Sequence, residues 1–395
     1  MRADIFCRVI DNFGDIGVCW RLARQLAHEY NWHVRLWVDD LASFRRLEPT
    51  LDCQLLEQHI GGVNVLLWAP IPTTSLDDVA TQTLTNRFMS DLPDVLIEAF
   101  ACDPPEAFIR AMRDHGRVPL WLNLEYLSAE AWVDSCHEMQ SIRPDGLKKV
   151  FYFPGFRPTT GGLLREQTLL ATRDAVQSSR AARVQALEKI GLASLGAAVK
   201  RDAKLVFLFC YADAPLAALV HALDQAWQTT IVIAVPQGVA LGLERETAAF
   251  PHITVTRLDF LPQADFDVLL WCADLNVVRG EDSFVRAIWA ARPFIWHIYP
   301  QEDEAHLLKL DAWLEHNAAQ ASSPNCPPPP SFGAAVRAFN QRTARDDLAL
   351  QADFTALLSP PAWLQWTKQA GSVSDFQAEI PTLAHNLVHY CLNTR

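Results

Sequence analysis

The stretch "DIFCRVIDNFGDIGVCWRLARQLAHEYNWHVRLWVD" (residues 4–39) decides the fold class. Its two ends, 4–10 and 33–39, are apolar runs too short for helices and rich in strand-forming residues, which predicts two strands. The segment between them carries apolar residues at helical spacing. These residues are Val18, Leu22, Leu26 and Tyr30. Strand, helix and strand in this order predict a parallel sheet covered on both faces.

The same alternation continues along the chain and then starts again. Further strands are predicted in the first half at 63–69, 94–100, 118–124 and 148–154. Strands in the second half are predicted at 204–210, 229–235, 252–258, 275–280 and 293–299. The two series are separated by "PGFRPTTGGLLRE" (154–166), whose Pro and Gly break both patterns. We therefore expect two α/β domains in tandem, over 1–165 and 166–371, with a last helix at about 372–395 packing back on the first.

Length and charge narrow the function classes. A chain of 395 residues is long enough for two domains, and half of its residues are hydrophobic, as in globular proteins. The formal net charge of −12 repels phosphate backbones, so we expect no nucleic-acid partner. Two similar α/β domains meeting across a cleft would form a ligand site, because the carboxyl ends of parallel strands face such a gap.

Cysteine usage and hydropathy indicate the compartment. None of the nine cysteines forms a CxxC pair, which is typical of reduced thiols rather than of disulfides or a zinc site. The N-terminus lacks the apolar run of a signal peptide, and no stretch approaches the ~18 apolar residues of a membrane span. We expect a cytoplasmic protein without a membrane partner.

The loop "VIDNFGDIGV" (9–18) places two carboxylates, Asp11 and Asp15, between the first strand and the first helix. Gly14 and Gly17 would let the chain turn sharply there. The spacing is not GxGxxG, and an acidic loop suits a diphosphate poorly. It suits a general base or a cationic substrate. The alternative is that Asp15 is the N-cap of the helix.

A second strand-to-helix loop, "RGEDSFVRA" (279–287), favours anion binding. Arg279 can pair with a phosphate, and the backbone at Asp282 and Ser283 opens a helix N-terminus. Glu281 is a carboxylate in the same loop. The alternative is that Ser283 or Asp282 only caps the helix, although a capped helix can still present free N–H groups.

Aromatic residues in two further loops could bind a nucleotide. Phe260 could stack on a base and Gln263 could hydrogen-bond its edge, although a buried loop aromatic is the simpler interpretation. Phe209 and Tyr211 end the first strand of the second domain. Core packing accounts for Phe209, whereas the Tyr211 hydroxyl needs a partner.

Metal sites and other catalytic motifs are not predicted. The acidic pairs at 39–40 and 77–78 lack the DxD form, and His385 and His389 have no nearby carboxylate or thiol to complete a site. No P-loop and no GxSxG motif occurs.

Several blocks in order along the chain resemble one family. They include "VIDNFGDIGVCWRLARQLA" (9–27), "LWLNLEYLSAEAWV" (120–133), "FPGFRPTTGGLLRE" (153–166), "VVRGEDSFVRA" (277–287) and "FIWHIYPQEDEAHLLKLDAWL" (294–314). This set resembles the bacterial protein-arginine rhamnosyltransferases that modify elongation factor P. The resemblance runs from residue 4 to about 316. It implies a GT-B fold, in which two Rossmann-like domains face each other across a cleft.

The resemblance also implies a reaction and roles for the candidate residues. The reaction would be an inverting transfer of rhamnose from dTDP-β-L-rhamnose to an arginine of elongation factor P, without a metal or other cofactor. The first domain would bind the acceptor, with Asp15 as the general base beside Asp11, and the second domain would bind the nucleotide sugar. Glu281 would also be catalytic. The residues that the resemblance implies in donor binding are Phe209, Tyr211, Phe260, Gln263, Arg279, Glu281, Asp282 and Ser283. At Tyr211 the chain departs from the family, since "CYADAPL" (210–216) replaces a "YEN"-like run.

Two alternatives from other classes stay open at this point. The first is another GT-B nucleotide-sugar transferase with a small-molecule acceptor, because pocket shape and hence the sugar cannot be read from the sequence. The second is a non-catalytic module that binds a translation factor.

Overall fold

The protein is described by a computed structural model over most of its length. The described residues are 1–10, 13–68, 86–88, 91–114, 118–320, 329–343, 345–358, 363 and 382–394, the side chains of 319 and 320 excepted. The chain divides into two compact units: Met1–Gln167 with Ile380–Arg395, and Thr168–Glu379. The first division lies two residues from the sequence-based boundary after 165. The assignment of acceptor and donor roles to the two units stays a prediction.

The first unit is built on an eight-stranded sheet in the order β3-β4-β2-β1-β5-β6-β8-β7. Its strands are β1 (Arg2–Cys7), β2 (His33–Val38), β3 (Glu57–Ile60), β4 (Val63–Leu67), β5 (Val95–Ala99), β6 (Leu120–Leu124), β7 (Gln140–Ile142) and β8 (Lys148–Tyr152). All neighbours are parallel except the edge strands β3 and β7, which pair antiparallel. After β1 the chain adds β2 and β4 on one side of the sheet and then β5, β6 and β8 on the other. The switch point of the topology therefore lies between β1 and β5.

The described residues of the first unit contain five helices. They are α1 (Gly14–Tyr30), α2 (Leu41–Leu47), α3 (Glu106–Asp114), α4 (Val133–Cys136) and the last helix of the chain, α15 (Leu383–Asn393). Every residue of α1 from Asp15 to Leu26 except Arg24 is buried, and the helix is followed by its C-cap Asn31, whose φ of 55° is left-handed. The helix predicted at about 372–395 begins at Leu383; residues 371–381 lie outside the described residues.

The last helix is part of the first unit's core. Thr382 caps α15 by accepting the His385 N–H at 3.2 Å, and the Leu383 N–H donates to the Leu163 carbonyl at 2.9 Å. Leu383 and Leu387 are buried in the same apolar cluster as the inward side chains of β1, β2 and α1. Residues from both ends of the chain therefore stabilise one unit.

The second unit contains a five-stranded parallel sheet in the order β11-β10-β9-β12-β13. The strands are β9 (Lys204–Leu208), β10 (Ile231–Pro236), β11 (Ile253–Leu258), β12 (Leu275–Arg279) and β13 (Phe294–His297). The helices are α5 (Leu169–Gln177), α6 (Arg180–Lys189), α7 (Ala193–Lys200), α8 (Leu216–Ala226), α9 (Leu243–Thr247), α10 (Gln263–Cys272), α11 (Asp282–Ala290), α12 (His306–Gln320), α13 (Phe332–Asn340) and α14 (Asp347–Leu358), with a 3₁₀ turn at Glu302–Glu304. Here the switch point lies between β9 and β12.

Every strand predicted from the sequence is present, with ends shifted by a few residues. The prediction of parallel sheets is confirmed for both units. The edge strands β3 and β7 were not predicted, because "EQHI" and "QSI" are short and carry no apolar alternation.

The topology determines where chemistry can occur. In an open parallel sheet, ligands bind outside the carboxyl ends of the strands at the switch point. In the first unit these ends lead into loop 8–13 after β1 and loop 100–105 after β5. In the second unit they lead into 209–215 after β9 and 280–281 after β12. Most candidate residues of the sequence lie in or directly beside three of these four loops, whereas Phe260 and Gln263 follow β11.

Candidate active site

Asp15 is buried at the start of α1, directly beyond the carboxyl end of β1. Its side chain is 2% exposed, and its Oδ2 accepts the Ile10 N–H at 2.9 Å. The N-cap of α1 is Phe13, so Asp15 is the second helical residue rather than the N-cap. Its carboxylate instead holds the loop after β1 in place. The proximity of this carboxylate contributes to raising the pKa of Cys7, after burial and the neighbouring thiol of Cys19.

The two glycines of this loop act differently from the prediction. Gly14 and Gly17 lie within the first turn of α1, and the Gly17 N–H donates to the Phe13 carbonyl at 2.9 Å. They are thus helical residues, and the predicted sharp turn on these glycines is wrong. Asp11 lies outside the described residues, so its role stays a prediction.

Tyr126 contacts the Asp15 carboxylate and was not singled out from the sequence. Its hydroxyl donates to Asp15 Oδ1 at 3.3 Å, from a position 111 residues along the chain. The Tyr126 ring stacks on Phe100 at a centroid distance of 4.5 Å and is 39% exposed. The contact is possible because β6, which precedes Tyr126, pairs with β5, which pairs with β1.

The loop after β5 is held in an unusual backbone conformation. Phe100, Ala101 and Asp103 all have a positive φ, between 51° and 56°. This region disfavours bulky side chains and costs of order 1–3 kcal/mol per residue, and such residues concentrate at functional sites. Buried Glu98 supports the loop by accepting the Asp103 N–H at 3.2 Å. The strained loop presents Phe100 to Tyr126, next to the base candidate.

Arg279 is the centre of the second unit's cluster, at the carboxyl end of β12. Its guanidinium carbon lies 4.4 Å from the Phe209 ring centroid and 4.9 Å from the Tyr211 ring centroid. Its Nη1 also donates to the Cys210 carbonyl at 3.3 Å. The structure therefore brings together three predicted donor-binding residues from two neighbouring strands. Cation–π contacts of this kind orient a guanidinium without neutralising its charge.

The loop after β12 turns on a left-handed glycine and leads into α11. Gly280 has a φ of 65°, and its carbonyl accepts the Trp296 indole N–H at 2.7 Å. Ser283 is buried, and its hydroxyl accepts the Arg279 N–H at 3.2 Å. The N-cap of α11 is Glu281, without a side-chain cap bond, so neither Ser283 nor Asp282 is the cap that the sequence suggested.

Glu281 has a cationic partner that the sequence did not reveal. Its Oε1 accepts from Lys309 Nζ at 2.7 Å, in a pair whose side chains are 17% and 23% exposed. Lys309 lies on α12, 28 residues further along the chain. The pair places a lysine ammonium beside the loop that follows Arg279, where it offsets the negative charge of Glu281. A single lysine among the apolar residues of a helix forms no motif, so the sequence does not predict this ion pair.

Phe260 and Gln263 lie at the same carboxyl edge of the sheet, after β11. Gln263 is the first residue of α10 and is 5% exposed, whereas Phe260 is half-buried. Phe266, one turn further on α10, packs edge-on against Phe209 with centroids 6.1 Å apart. The aromatic cluster thus connects the α10 loop to the ring pair on Arg279.

The described residues contain neither a cluster of metal ligands nor a membrane-spanning helix. Within those ranges no three His, Cys, Asp or Glu side chains are grouped so that they could hold a metal ion. None of the helices in the described part of the chain is long and apolar enough to span a membrane.

Comparison with known proteins identifies the family. The sequence profile of the family described as "Elongation-Factor P (EF-P) rhamnosyltransferase EarP" matches residues 3–392. A protein-arginine rhamnosyltransferase of Pseudomonas aeruginosa is 47% identical over 327 residues, which cover 79% of this chain and 80% of the relative.

Solved structures support the fold. The structure reported as "Structural basis for EarP-mediated arginine glycosylation of translation elongation factor EF-P" aligns with a TM-score of 0.60 and 31% identity, covering 100% of this chain and 99% of that one. Arabidopsis thaliana UGT89C1 complexed with UDP aligns with a TM-score of 0.52 at 12% identity, over 99% of each chain, which supports the fold alone. The predicted GT-B class, with two Rossmann-like units, is confirmed, and so are the predicted family and enzyme class. With its profile match across nearly the whole chain and its relatives over 30% identical, this protein belongs to the EarP family of elongation-factor-P rhamnosyltransferases, which are glycosyltransferases.

Proposed function

We propose that this protein transfers rhamnose from dTDP-β-L-rhamnose to an arginine side chain of elongation factor P, with inversion at the anomeric carbon. The observation that carries the proposal is the family match over residues 3–392. In this proposal the cluster around Asp15 binds the acceptor arginine, and the cluster around Arg279 binds the donor.

The acceptor chemistry accounts for a buried carboxylate. A guanidinium has a pKa above about 12 and is a poor nucleophile while protonated. Asp15 can pair with the guanidinium, orient one nitrogen and accept its proton as the bond to the anomeric carbon forms. The bonds from Ile10 and Tyr126 to the two carboxylate oxygens fix the orientation of Asp15 before substrate arrives. Such preorganisation favours base catalysis over mere capping.

The exposed ring of Tyr126 suits the same substrate. A guanidinium binds the face of a tyrosine ring, and the Tyr126 ring is held by Phe100 beside the Asp15 carboxylate. A substrate arginine on this ring would have its nitrogens near the base. The sequence contains this tyrosine within "LWLNLEYLSAEAWV", a stretch that resembles the family.

The donor chemistry needs partners for a leaving diphosphate. As the anomeric C–O bond breaks, negative charge grows on the diphosphate, and Arg279 and the N-terminal N–H groups of α11 can stabilise it. Lys309 adds a second cation near Glu281. Because the nucleophile attacks opposite the departing diphosphate, one displacement inverts the anomeric carbon. Phe260 and Gln263 would then hold the thymine by stacking and hydrogen bonding.

Intact-mass analysis tests the proposal. Purified elongation factor P is incubated with this protein and dTDP-β-L-rhamnose, and a deoxyhexosyl increment localised to one arginine by fragmentation is expected. The product's anomeric configuration, read by NMR, should be opposite to the donor's. An Asp15→Asn variant is the matched control and should give little increment.

Other outcomes would favour the alternatives. Binding of dTDP-rhamnose with transfer to a small molecule, but none to elongation factor P, would refute the acceptor. Transfer from another nucleotide sugar, with none from dTDP-rhamnose, would refute the donor. Retention of configuration would refute the single displacement.

A further inference from the structure

His297 connects the two loops that form the donor cluster. It is the last residue of β13 and is 2% exposed. Its Nδ1 accepts the Tyr211 N–H at 3.2 Å, and its carbonyl accepts the Gly280 N–H at 3.3 Å. One residue therefore holds the loop after β9 and the loop after β12 at the same point of the sheet edge.

A carboxylate holds the other side of the His297 ring. Asp213 Oδ1 lies 3.5 Å from His297 Nε2, and Asp213 Oδ2 lies 3.0 Å from Arg342 Nε. Because Nδ1 accepts a backbone N–H, the ring proton sits on Nε2, facing Asp213. Asp213 belongs to "CYADAPL", the run that departs from the family pattern, and in the structure it pairs with His297.

The electrostatics agree with a neutral ring. Burial lowers the pKa of His297 to about 4, with Arg279, His306 and Arg345 acting in the same direction and Asp213 against them. A neutral ring can accept the Tyr211 N–H at its Nδ1 at pH values above this pKa.

We propose that His297, oriented by Asp213, is a positioning residue for donor binding: it fixes the backbone of Tyr211, and thereby the tyrosine ring on the Arg279 guanidinium. This inference rests on the proposed function of the cluster as the site of the nucleotide diphosphate. The ring–guanidinium distance of 4.9 Å depends on where the Tyr211 backbone lies, and the Tyr211 N–H is fixed by His297. Freed from this bond, Arg279 would lose one of its two ring contacts and its orientation toward the diphosphate.

A purely structural role is the competing explanation, and the first unit offers a matched control. His137 accepts the Phe153 N–H at its Nδ1, at 3.0 Å, and burial lowers its pKa to about 4 as well. It therefore has the same hydrogen-bond chemistry in the unit without the Arg279 cluster. A substitution that merely removes a buried histidine should have similar effects at both positions.

Calorimetry with dTDP as the probe distinguishes the two. His297→Gln can still reach Asp213 but loses the acceptor for Tyr211, whereas the shorter His297→Asn keeps an acceptor near the Nδ1 position. We expect the dTDP Kd to rise at least about fivefold for His297→Gln, the scale of one lost buried hydrogen bond. It should stay within about threefold of wild type for His297→Asn and for His137→Gln. Asp213→Ala, on a partly exposed loop, should raise the Kd without unfolding the protein.

The outcomes separate this inference from the proposed function. If wild type binds neither dTDP nor dTDP-rhamnose, the proposed function fails. If wild type binds dTDP and both His297→Gln and Asp213→Ala bind equally well, the positioning role is wrong. It is also wrong if His297→Asn weakens binding as much as His297→Gln, or if His137→Gln does. Should His297→Gln unfold, the Asp213→Ala result alone decides.

Discussion

Replacing Arg279 by alanine removes the centre of the donor cluster while leaving its neighbours in place. The guanidinium contacts the Phe209 and Tyr211 rings at 4.4 and 4.9 Å and the Cys210 carbonyl at 3.3 Å. These contacts orient the group in the absence of ligand, so little side-chain entropy would be lost when a diphosphate binds. The variant thus reports mainly on the lost interaction with the ligand.

The expected loss follows from the charge-assisted bond. Removing one such bond to a diphosphate costs about 1.5–3 kcal/mol, or a factor of about 10 to 150 in Kd. Arg279→Lys keeps the charge but cannot stack in a plane on two rings or bond to the Cys210 carbonyl in the same way. We therefore expect Arg279→Lys to bind dTDP with an affinity between those of wild type and Arg279→Ala.

Isothermal titration calorimetry with dTDP alone measures these affinities, and thermal unfolding checks the fold of each variant. Arg183→Ala is the control: Arg183 lies in the same unit, partly buried, but pairs with Asp274 at the amino end of β12, 3.4 Å away. Its loss should affect stability and leave dTDP affinity nearly unchanged. If Arg279→Ala keeps wild-type affinity, or if Arg183→Ala loses as much, the donor cluster has been assigned to the wrong residues.

Four further predictions address the base, its partner, pH and metal. Asp15→Asn should reduce transfer roughly 10²-fold, the scale of lost general-base help, with dTDP affinity unchanged; near-wild-type turnover in a kinetic assay would contradict the base. The fall in kcat for Tyr126→Phe should be several times smaller than the fall for Asp15→Asn, because only one of the hydrogen bonds to the carboxylate is lost. An effect as large as that of Asp15→Asn would mean that the hydroxyl has a chemical role of its own. Burial lowers the pKa of His297 and of His137 to about 4, below the ordinary value near 6.5. The contribution of the two neutral rings to the free energy of unfolding is therefore complete above pH 6.5 and is lost as the pH falls toward 4. Urea unfolding should show this loss of stability between pH 6.5 and 4, and the loss should be smaller in the His297→Gln and His137→Gln variants. Turnover should persist in excess EDTA, and activity that EDTA abolishes and Mg²⁺ restores would contradict the metal-free mechanism.

The fold could be predicted from the sequence wherever burial dictates the pattern. Strand β10, within "TTIVIAV", is buried on both faces and is therefore a continuous apolar run in the sequence. The edge strand β7, three residues long, is exposed on one side and has no such signature. Its pairing with β8 is determined by the turn at 143–147 that joins the two strands, which the apolar pattern does not record.

The site was predictable only in part, because its geometry joins distant residues. Arg279 and Ser283 stand in one loop, and their local pattern predicted an anion site. The contact between Tyr126 and Asp15 depends on strand order, since three neighbouring strands must be placed before the two residues meet. The roles of Gly14 and Gly17 were misjudged, because a glycine before a helix pattern is compatible both with a turn and with the helix itself.

The closing of the first unit's core by α15 has a consequence for how the protein is made. On the ribosome, Gln167 is synthesised about 200 residues before Leu383, the residue that begins α15. At about 5–20 residues per second, the nascent first unit waits on the order of 10–40 s with the apolar surface of α1 and β1 uncovered. The second unit, Thr168–Glu379, is continuous in sequence and is synthesised during this interval. The order of synthesis and the order of completion therefore differ: the unit whose synthesis begins first is the last to be completed, because its core waits for α15.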